Sequence, residues 1–152
     1  MTLLTIITVV KNNSKEILNT LESINNQKYT DFEYIIIDSN SDDGTSEIIK
    51  SFKFNKKFKY LREKDNGIYQ GLNKGIRISE GEFIGVLHSG DIFYSDNTLE
   101  KIISQFNDKD IIFGDIAYFK KLKINRIWKF RQNNKEFINP FKIAHTSLFI
   151  KK

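Results

Sequence analysis

Three aspartates, Asp38, Asp65 and Asp91, lie at the boundaries of apolar segments and carry the side chains best suited to bind a ligand. Asp38 follows the apolar run 32–37, and Asp91 closes a His-Ser-Gly-Asp segment after the apolar run 83–87. Carboxylates bind hard divalent cations and accept hydrogen bonds from hydroxyl and N–H groups. A single aspartate after a strand is also a common turn former or N-cap, so the inference depends on the three side chains lying together.

The segments around these aspartates alternate between strand and helix patterns. Apolar runs predict strands at residues 3–10, 32–38, 58–61, 83–87 and 110–113. Helical spacing predicts helices that begin after Ser14 (as N-cap) and after residue 44, and that cover residues 68–79 and the stripe 99–106. This alternation is typical of an α/β fold with a mainly parallel central sheet. Since ligands of such sheets bind outside the carboxyl ends of the strands, we expect the polar strand ends to converge.

Residues 116–119 and 124–130 are predicted to form a hairpin, a small antiparallel addition to the parallel sheet. Its aromatic residues Tyr118, Trp128 and Phe130 alternate with polar ones. We expect them to belong to the core or to cover it, with a stacking platform for a ligand as the alternative.

Two glycines, Gly71 and Gly75, lie four residues apart in the predicted third helix, whose buried face is expected to consist of Ile68, Leu72 and Ile76. Each glycine weakens a helix by up to ~1 kcal/mol relative to alanine. We expect close packing to be the reason for their presence, with close approach of a ligand as the alternative.

The 152 residues fit a single domain, 1–152, that buries a sizeable core. No apolar run approaches the ~20 residues of a membrane helix, and the amino-terminal segment is expected to be a first strand and not a signal peptide. The absence of cysteine excludes disulfides and thiol catalysis, and it fits a cytoplasmic protein.

The formal net charge is +5, and most of the positive charge comes from scattered lysines such as Lys50, Lys53 and Lys120. Solvated surface lysine is the simplest interpretation, while an anionic ligand or an anionic membrane face are alternatives. Nucleic acid is not an expected partner, because no binding motif accompanies the basic residues.

Four sequence blocks carry a resemblance to a known family. They are TIITVVKN at 5–12, EYIIIDS with DDGT at 33–45, DNGIY with LNKG at 65–75, and GEFIGVLHSGD at 81–91. In this order the chain resembles the family 2 glycosyltransferases with the GT-A fold, of the bacterial polysaccharide-assembly type. The resemblance covers most of the chain to about Asp91, and residues 114–115 and 145–147 are similar to the subgroup more loosely.

The resemblance implies roles for individual positions. It implies that the nucleotide contacts Thr8, Val10, Asn12, Asp38, Ser39, Asp65, Asn73, Lys74 and Ser89. It also implies that Asp91 binds a divalent cation, Mn2+ or Mg2+, with a single carboxylate, because Gly90 stands where the family usually has a second acid. His145 is expected to be either a partly buried histidine with internal partners or a contact to the diphosphate or the acceptor.

The implied reaction is inverting transfer of a sugar from a nucleotide diphosphate sugar, with UDP favoured, to an acceptor hydroxyl. The acceptor would be a glycan or a lipid-linked molecule in polysaccharide or cell-surface glycan synthesis, at the inner face of the membrane if the lysines contact lipid. No acid follows His145, so the general base is expected to be an upstream acid such as Asp115. The alternative is a truncated, non-catalytic module that only binds the nucleotide sugar.

Overall fold

The computed structural model describes residues 3–107, 109–120, 123–129 and 145–152, the last range without the side chain of residue 145. The strands are β1 (Leu4–Val10), β2 (Phe32–Asp38), β3 (Lys57–Arg62), β4 (Phe83–Val86), β5 (Ile111–Phe113), β6 (Ile116–Lys120), β7 (Lys123–Trp128) and β8 (Leu148–Lys151). The helices are α1 (Ile17–Asn25), α2 (Thr45–Ser51), α3 (Ile68–Ile78) and α4 (Thr98–Ile103), and a 3-10 helix covers His145–Ser147.

The central sheet has six strands in the order β3-β2-β1-β4-β8-β5. The first four are parallel to one another, and β8 is antiparallel to both of its neighbours. A separate two-stranded antiparallel sheet is formed by β6 and β7. The predicted fold class, a mainly parallel α/β sheet with a small antiparallel addition, is therefore confirmed.

The core lies on both faces of β1 and β2, and every residue of these two strands is buried. On one face the strands pack against the apolar side of α1, which contributes Ile17, Leu21 and Ile24. The other face carries a second cluster that includes Ile7 and Ile35, on the side covered by α3. Burial on both faces explains the nearly continuous apolar runs of these strands, since each buried aliphatic side chain contributes about 1.5–3 kcal/mol.

The fully buried residues of α3 are two glycines, and of the expected apolar face only Leu72 packs, half-buried, against the second cluster. A Cβ on Gly75 would lie 2.6 Å from Cγ2 of Ile7, and a Cβ on Gly71 would lie 2.7 Å from Cγ1 of Val9. Close packing as the reason for both glycines is confirmed. The expected face was wrong for Ile68, which is exposed, as is Ile76. A helix that approaches a sheet this closely has no room for side chains on its inner surface.

Helix α1 begins at Ile17, so the prediction of Ser14 as its N-cap was wrong. The Ser14 N–H instead donates a hydrogen bond to Oδ2 of Asp43, at 2.9 Å. Hydrogen bonds from Thr45 and Ser14 also hold the pKa of Asp43 well below its usual range. A contact between two loops therefore replaces the local cap that the sequence suggested.

The carboxyl-terminal part of the described chain differs most from expectation. β5 is only partly buried, with Ile111 exposed. Tyr118 and Trp128 are exposed on the hairpin, so the expectation that they belong to the core was wrong, while a covering role or a ligand platform stays a prediction. Phe130 lies outside the described residues. Strand β8 was not predicted. None of the helices that the structure describes is both long and apolar enough to cross a membrane.

Candidate nucleotide site at the carboxyl edge

The parallel strands β1 to β4 end at one edge of the sheet, which we call the carboxyl edge. Among the described residues, positive φ angles occur at Asn12, Asn40, Gly44, Gly67 and Gly90. All of them lie in the loops that follow these four strands. Backbone conformations of this kind cost free energy and tend to cluster where loops form a site. The carboxyl edge is therefore the candidate functional region.

Asp38 lies at the end of β2 and is fully buried. Its Oδ1 accepts a hydrogen bond from the Ser41 N–H at 2.8 Å, and its Oδ2 accepts from the hydroxyls of Ser46 and Tyr60. Nε of Arg62 lies 3.9 Å from Oδ2. Burial opposes ionisation of this carboxyl, but the hydrogen bonds outweigh it and lower the pKa of Asp38. The carboxylate thus fixes the loop that follows its own strand.

Tyr60 is the donor that ties β3 to this carboxylate. Its hydroxyl donates to Asp38 at 2.7 Å. Burial, together with the neighbouring carboxylate, raises the pKa of Tyr60 to about 12. The phenol therefore keeps its proton at neutral pH and remains a hydrogen-bond donor.

Ser39 and Asp65 form the next contact along the edge. The Ser39 hydroxyl donates to Oδ1 of Asp65 at 2.6 Å, and the Ser39 N–H donates to the Val10 carbonyl at 2.9 Å. Oδ1 of Asp65 also accepts from the Gly67 N–H at 3.1 Å. Oδ2 of Asp65 is buried without a hydrogen-bond partner in the described part of the chain. A Cβ on Gly71 would lie 3.1 Å from this oxygen, which leaves it facing bare helix backbone.

Asn12 joins the loop after β1 to the loop after β2. Its side chain and Asp42 exchange two hydrogen bonds, of 2.9 Å and 3.0 Å. The Asn12 N–H donates to the Ser41 hydroxyl at 3.0 Å, and Nη2 of Arg62 donates to the Ser41 carbonyl at 2.6 Å. The loops after β1 and β2 and the end of β3 are therefore held together around Ser41.

The loop after β4 is fixed against α1. Nδ2 of Asn13 donates to the Ser89 hydroxyl at 2.8 Å. The Gly90 N–H donates to the hydroxyl of Thr20, which in turn donates to the Asp91 carbonyl, each at 2.9 Å. Asp91 is exposed at the carboxyl edge. The structure thus brings Ser89 and Asp91 to the same edge as Asn12, Asp38, Ser39 and Asp65.

Thr8 and Val10 lie below this edge, inside the sheet. The Thr8 hydroxyl donates to the Leu87 carbonyl at 2.6 Å and accepts from the Tyr34 hydroxyl at 2.9 Å. Val10 is buried and reaches the loops only through its carbonyl. Both residues fix the end of β1 relative to the neighbouring strands.

Asn73 and Lys74 lie on α3. Nζ of Lys74 lies 3.2 Å from Oε1 of Glu63 and donates to the Lys64 carbonyl at 3.1 Å. These contacts tie α3 to the segment after β3, and they engage the ammonium group that was expected to contact the nucleotide. Asn73 is exposed on the same helix.

Asp115 and the 3-10 helix lie toward the far end of the same edge. Asp115 is exposed just after β5, a strand that runs in the direction of β4 with β8 between them. The Gly114 N–H donates to the Ser147 carbonyl at 3.1 Å, which places the 3-10 helix beside this turn. The side chain of His145 lies outside the described part of the chain, so its expected contact remains a prediction.

The residues around Gly90 fit a divalent cation that is bound together with a diphosphate. No group of three or more His, Cys, Asp or Glu side chains is found among the residues that the structure describes. Asp91 follows Gly90, and a Cβ on Gly90 would lie 2.8 Å from Oε2 of Glu16. Magnesium is typically bound by one or two carboxylates, with phosphate oxygens and water as the other ligands. The oxygen donors present here match that arrangement.

Several residues of the edge were missed by sequence reasoning, namely Ser41, Ser46, Tyr60, Arg62 and Glu16. One signal was present, because Tyr60 and Arg62 alternate along β3 and so share one of its faces. For Ser41 and Ser46 only the polar character of their segment was visible, and Glu16 carried no signal.

The glycosyl transferase family 2 model matches residues 5–151 of the chain. An uncharacterised glycosyltransferase of Rickettsia bellii is 34% identical over 101 residues, which is 66% of this chain and 14% of that protein. The PGL/p-HBAD biosynthesis glycosyltransferase of Mycobacterium tuberculosis is 30% identical over 101 residues, which is 63% of this chain and 40% of that protein. The chain thus spans less than half the length of these relatives.

Two solved structures share the fold. S. aureus TarS 1-349 in complex with UDP-GlcNAc has a TM-score of 0.70 at 22% identity, over 82% of this chain and 37% of that one. The mannosyltransferase PcManGT from Pyrobaculum calidifontis, in complex with GDP-Man and Mn2+, has a TM-score of 0.66 at 22% identity, over 78% of this chain and 35% of that one.

Proposed function

The chain belongs to glycosyl transferase family 2, and from this premise we propose that its carboxyl edge binds a nucleotide diphosphate sugar and transfers the sugar to an acceptor hydroxyl. The observation that carries the proposal is the joining of the strand-end loops by hydrogen bonds. Ser39 contacts Asp65, Asn12 contacts Asp42, and Asn13 contacts Ser89. A ligand that meets such loops finds polar groups already held in place, which lowers the entropy cost of binding.

The proposed nucleotide-binding residues divide into two groups. Asn12, Ser39, Asp65 and Ser89 lie in or between the loops, together with the exposed Asn73 on α3. Thr8, Val10 and Asp38 would act beneath them by fixing the strand ends. Lys74 would hold α3 through its contact with Glu63, and a bound diphosphate would compete with Glu63 for its ammonium group. Asp38 can only reach a base or ribose if one of its present donors is displaced.

The proposed reaction is a displacement at the anomeric carbon with inversion. The acceptor oxygen forms a bond to that carbon, the bond to the diphosphate oxygen breaks, and the nucleoside diphosphate leaves. The acceptor proton passes to a carboxylate, a step that typically contributes about 10²- to 10⁴-fold in rate. A divalent cation, Mn2+ or Mg2+, would balance the charge of the leaving diphosphate when bound at Asp91. Positive charge at the anomeric carbon would build up as in glycoside hydrolysis.

Asp115 is the proposed general base. It is exposed at the carboxyl edge, beside the turn that Gly114 makes with Ser147. This position lies on the far side of β4 from the nucleotide loops, where an acceptor can approach without displacing the nucleotide. His145, in the neighbouring 3-10 helix, is proposed to contact the acceptor or the diphosphate.

UDP is the nucleotide proposed first, and GDP is the natural comparison. TarS was solved with UDP-GlcNAc and PcManGT with GDP-Man, so the shared fold accommodates both bases. The proposed acceptor is a glycan or a lipid-linked molecule in polysaccharide or cell-surface glycan synthesis. The proposed place of action is the cytoplasm, at the inner face of the membrane.

Thermal unfolding of the chain with UDP, GDP or dTDP, each with and without Mn2+, tests the nucleotide site. A ligand at about a hundredfold its dissociation constant adds ~2.7 kcal/mol to the free energy of unfolding. In a domain of this size that raises the unfolding temperature by about 5–10 °C. We expect this shift with one nucleotide and Mn2+ together. Asp91→Asn should remove the contribution of Mn2+, while Asp96→Asn, which changes another exposed aspartate of the same loop, should retain it.

Turnover of the matching nucleotide sugar with a panel of glycan and lipid-linked acceptors tests the transfer step. We expect release of nucleoside diphosphate that Asp115→Asn lowers by two or more orders of magnitude without changing nucleotide affinity. Nucleotide binding without turnover would favour the alternative, a module that binds the nucleotide sugar and does not transfer it. No shift with any of the three nucleotides would contradict both.

A further inference from the structure

Gly90 and Glu16 form a matched pair at the carboxyl edge. Gly90 has a φ angle of 97°, and a Cβ at this position would lie 2.8 Å from Oε2 of Glu16 and 3.7 Å from its Cβ. A Cβ at residue 90 would therefore crowd the Glu16 carboxylate in its present conformation. The missing side chain creates the space in which the carboxylate of another element lies.

Among the described residues, no polar group contacts the Glu16 carboxylate. Within the part of the chain that the structure describes, it makes no hydrogen bond and no ion pair, and Glu16 is exposed. Glu16 is the N-cap residue of α1, yet its side chain makes no capping hydrogen bond. A role in closing the helix end therefore does not explain its position.

Other contacts fix the helix start that carries Glu16 relative to the loop that carries Asp91. Thr20 of α1 accepts from the Gly90 N–H and donates to the Asp91 carbonyl, each at 2.9 Å. Asn13, just before α1, donates to the Ser89 hydroxyl at 2.8 Å. Because α1 and the loop after β4 are joined on both sides of Gly90, Glu16 is held next to the residue that precedes Asp91.

We propose that Glu16 supplies a second carboxylate to the divalent-cation site of Asp91, either directly or through a bound water molecule. The inference rests on the proposed function, since the cation would be the one that accompanies a nucleotide diphosphate. Residue 90 carries no acid of its own, and the carboxylate of Glu16 lies where a short side chain at that residue would be. Two carboxylates with phosphate oxygens and water are a common oxygen set for Mg2+ and similar ions.

The test compares Glu16→Gln with Glu22→Gln. Both substitutions remove one negative charge from an exposed glutamate at or within α1, but Glu22 lies in the middle of the helix, away from Gly90. Binding of Mn2+ is measured from the electron spin resonance signal of the free ion in the presence of a saturating nucleotide. The nucleotide is UDP, unless GDP or dTDP gives a larger shift of the unfolding temperature. Nucleotide affinity without metal and the unfolding temperature without ligand are measured alongside.

We expect Glu16→Gln to weaken Mn2+ binding about 10-fold or more, as removal of an orienting carboxylate typically does. Glu22→Gln should leave Mn2+ binding as in the unchanged chain. Nucleotide affinity without metal should be equal in all three proteins, which separates an effect on the cation from an effect on the loops. Equal Mn2+ affinity of Glu16→Gln and Glu22→Gln would overturn the inference and leave the proposed nucleotide site intact. Nucleotide binding that does not depend on Mn2+ in the unchanged chain would also overturn it, whereas absence of all nucleotide binding would contradict the proposed function itself.

Discussion

Strand β2 carries a fully buried carboxylate near each of its ends, Glu33 near the amino end and Asp38 at the carboxyl edge. Glu33 accepts hydrogen bonds from the Thr5 hydroxyl at 2.7 Å and from the Glu80 N–H. Nζ of Lys59 lies 3.1 Å from its Oε2. Burial opposes ionisation at both positions, yet the partners of Glu33 outweigh it, so that its pKa is lowered like that of Asp38.

The two carboxylates differ in what they connect. Glu33 ties β1, β3 and the segment before β4 to β2. Its partners belong to these strands or, in the case of the Glu80 N–H, to the backbone that leads into β4. Asp38 binds mainly the loop and helix that follow it, and that loop contains the positive φ angles of Asn40 and Gly44. Burial and a lowered pKa therefore do not identify a functional carboxylate by themselves. What distinguishes Asp38, in the candidate site, from Glu33 is that Asp38 holds a loop.

Replacing Glu33 and Asp38 in turn should give the largest difference between an effect on protein stability and an effect on nucleotide binding. Glu33→Ala leaves Lys59 and the Glu80 N–H without their buried partner, and we expect a loss of about 2–4 kcal/mol in the free energy of unfolding. Nucleotide affinity of the folded fraction should not change. Asp38→Asn should cost less stability, since its amide oxygen can still accept from the Ser41 N–H while the hydroxyls of Ser46 and Tyr60 can turn to accept from its NH2. It should nevertheless weaken nucleotide binding by loosening the loop. Denaturant unfolding and calorimetric titration measure the two effects, and equal loss of affinity in both variants would contradict the distinction.

Substitutions at the two glycines of α3 should also separate protein stability from nucleotide binding, with a smaller loss of stability. Gly75→Ala places a methyl group against Ile7, and Gly71→Ala places one against Val9 and Oδ2 of Asp65. We expect each to cost about 1–3 kcal/mol by overpacking. Only Gly71→Ala should also change nucleotide affinity, because only that methyl group meets a residue of the carboxyl edge. Crystal structures of both variants would show whether Asp65 moves.

Acid should lower the stability of the protein by protonating the carboxylates at both ends of β2. The loss should be smaller than in the substituted proteins, because a protonated carboxyl keeps its shape. The folded pKa values of Glu33 and Asp38 are lowered, so their stabilisation is present above the unfolded values near ~4 and is lost as the pH falls through the folded ones. We expect the unfolding temperature to decrease once the pH is lowered below about 4. Glu33→Gln should flatten this decrease, and an unchanged pH profile would show that other groups cause it.

The smallest effect is expected at the exposed ion pairs near Glu33. Nζ of Lys57 lies 2.6 Å from Oε2 of Glu80, and both side chains are about half exposed. Exposed pairs of this kind contribute up to about 1 kcal/mol, and salt screens them. Lys57→Ala should therefore change the free energy of unfolding by at most that amount, and by less in 1 M salt. A larger loss at high salt would mean that Lys57 contributes to the buried contact of Glu33.

The parallel part of the fold was predictable because its signals are local. Burial on both faces makes β1 and β2 apolar throughout, and Asp38 and Asp91 mark where strands stop. The inner face of α3 was not predictable from apolar spacing, since its contact surface is made of Gly71 and Gly75. Nor does a sequence pattern show that a loop contact from Asp43 will replace a cap at Ser14.

The candidate site was predictable only as a set of strand ends. The residues that hold the loops, such as Ser46, Tyr60 and Arg62, come from different elements, and their approach to Asp38 depends on register and on the packing of α2. Glu16 illustrates the same limit, because its carboxylate lies next to Gly90, where the absence of a side chain leaves room for it. The sequence indicates which polar groups lie at strand ends, but three-dimensional packing determines the partners of those groups.

The insertion of β8 between β4 and β5 has a consequence for how the protein folds. Among β1, β2 and β3 the paired residues are close in sequence, as Leu4 of β1 is to Phe32 of β2. By contrast, Phe83 of β4 pairs with both Leu4 and Lys151, and Ile111 of β5 pairs with Ile150. Contacts between residues so far apart in sequence form slowly, because the entropy of closing a long loop must be overcome first. We expect β1, β2 and β3 to become protected from hydrogen exchange early, with β4, β8 and β5 joining them in a later, slower phase.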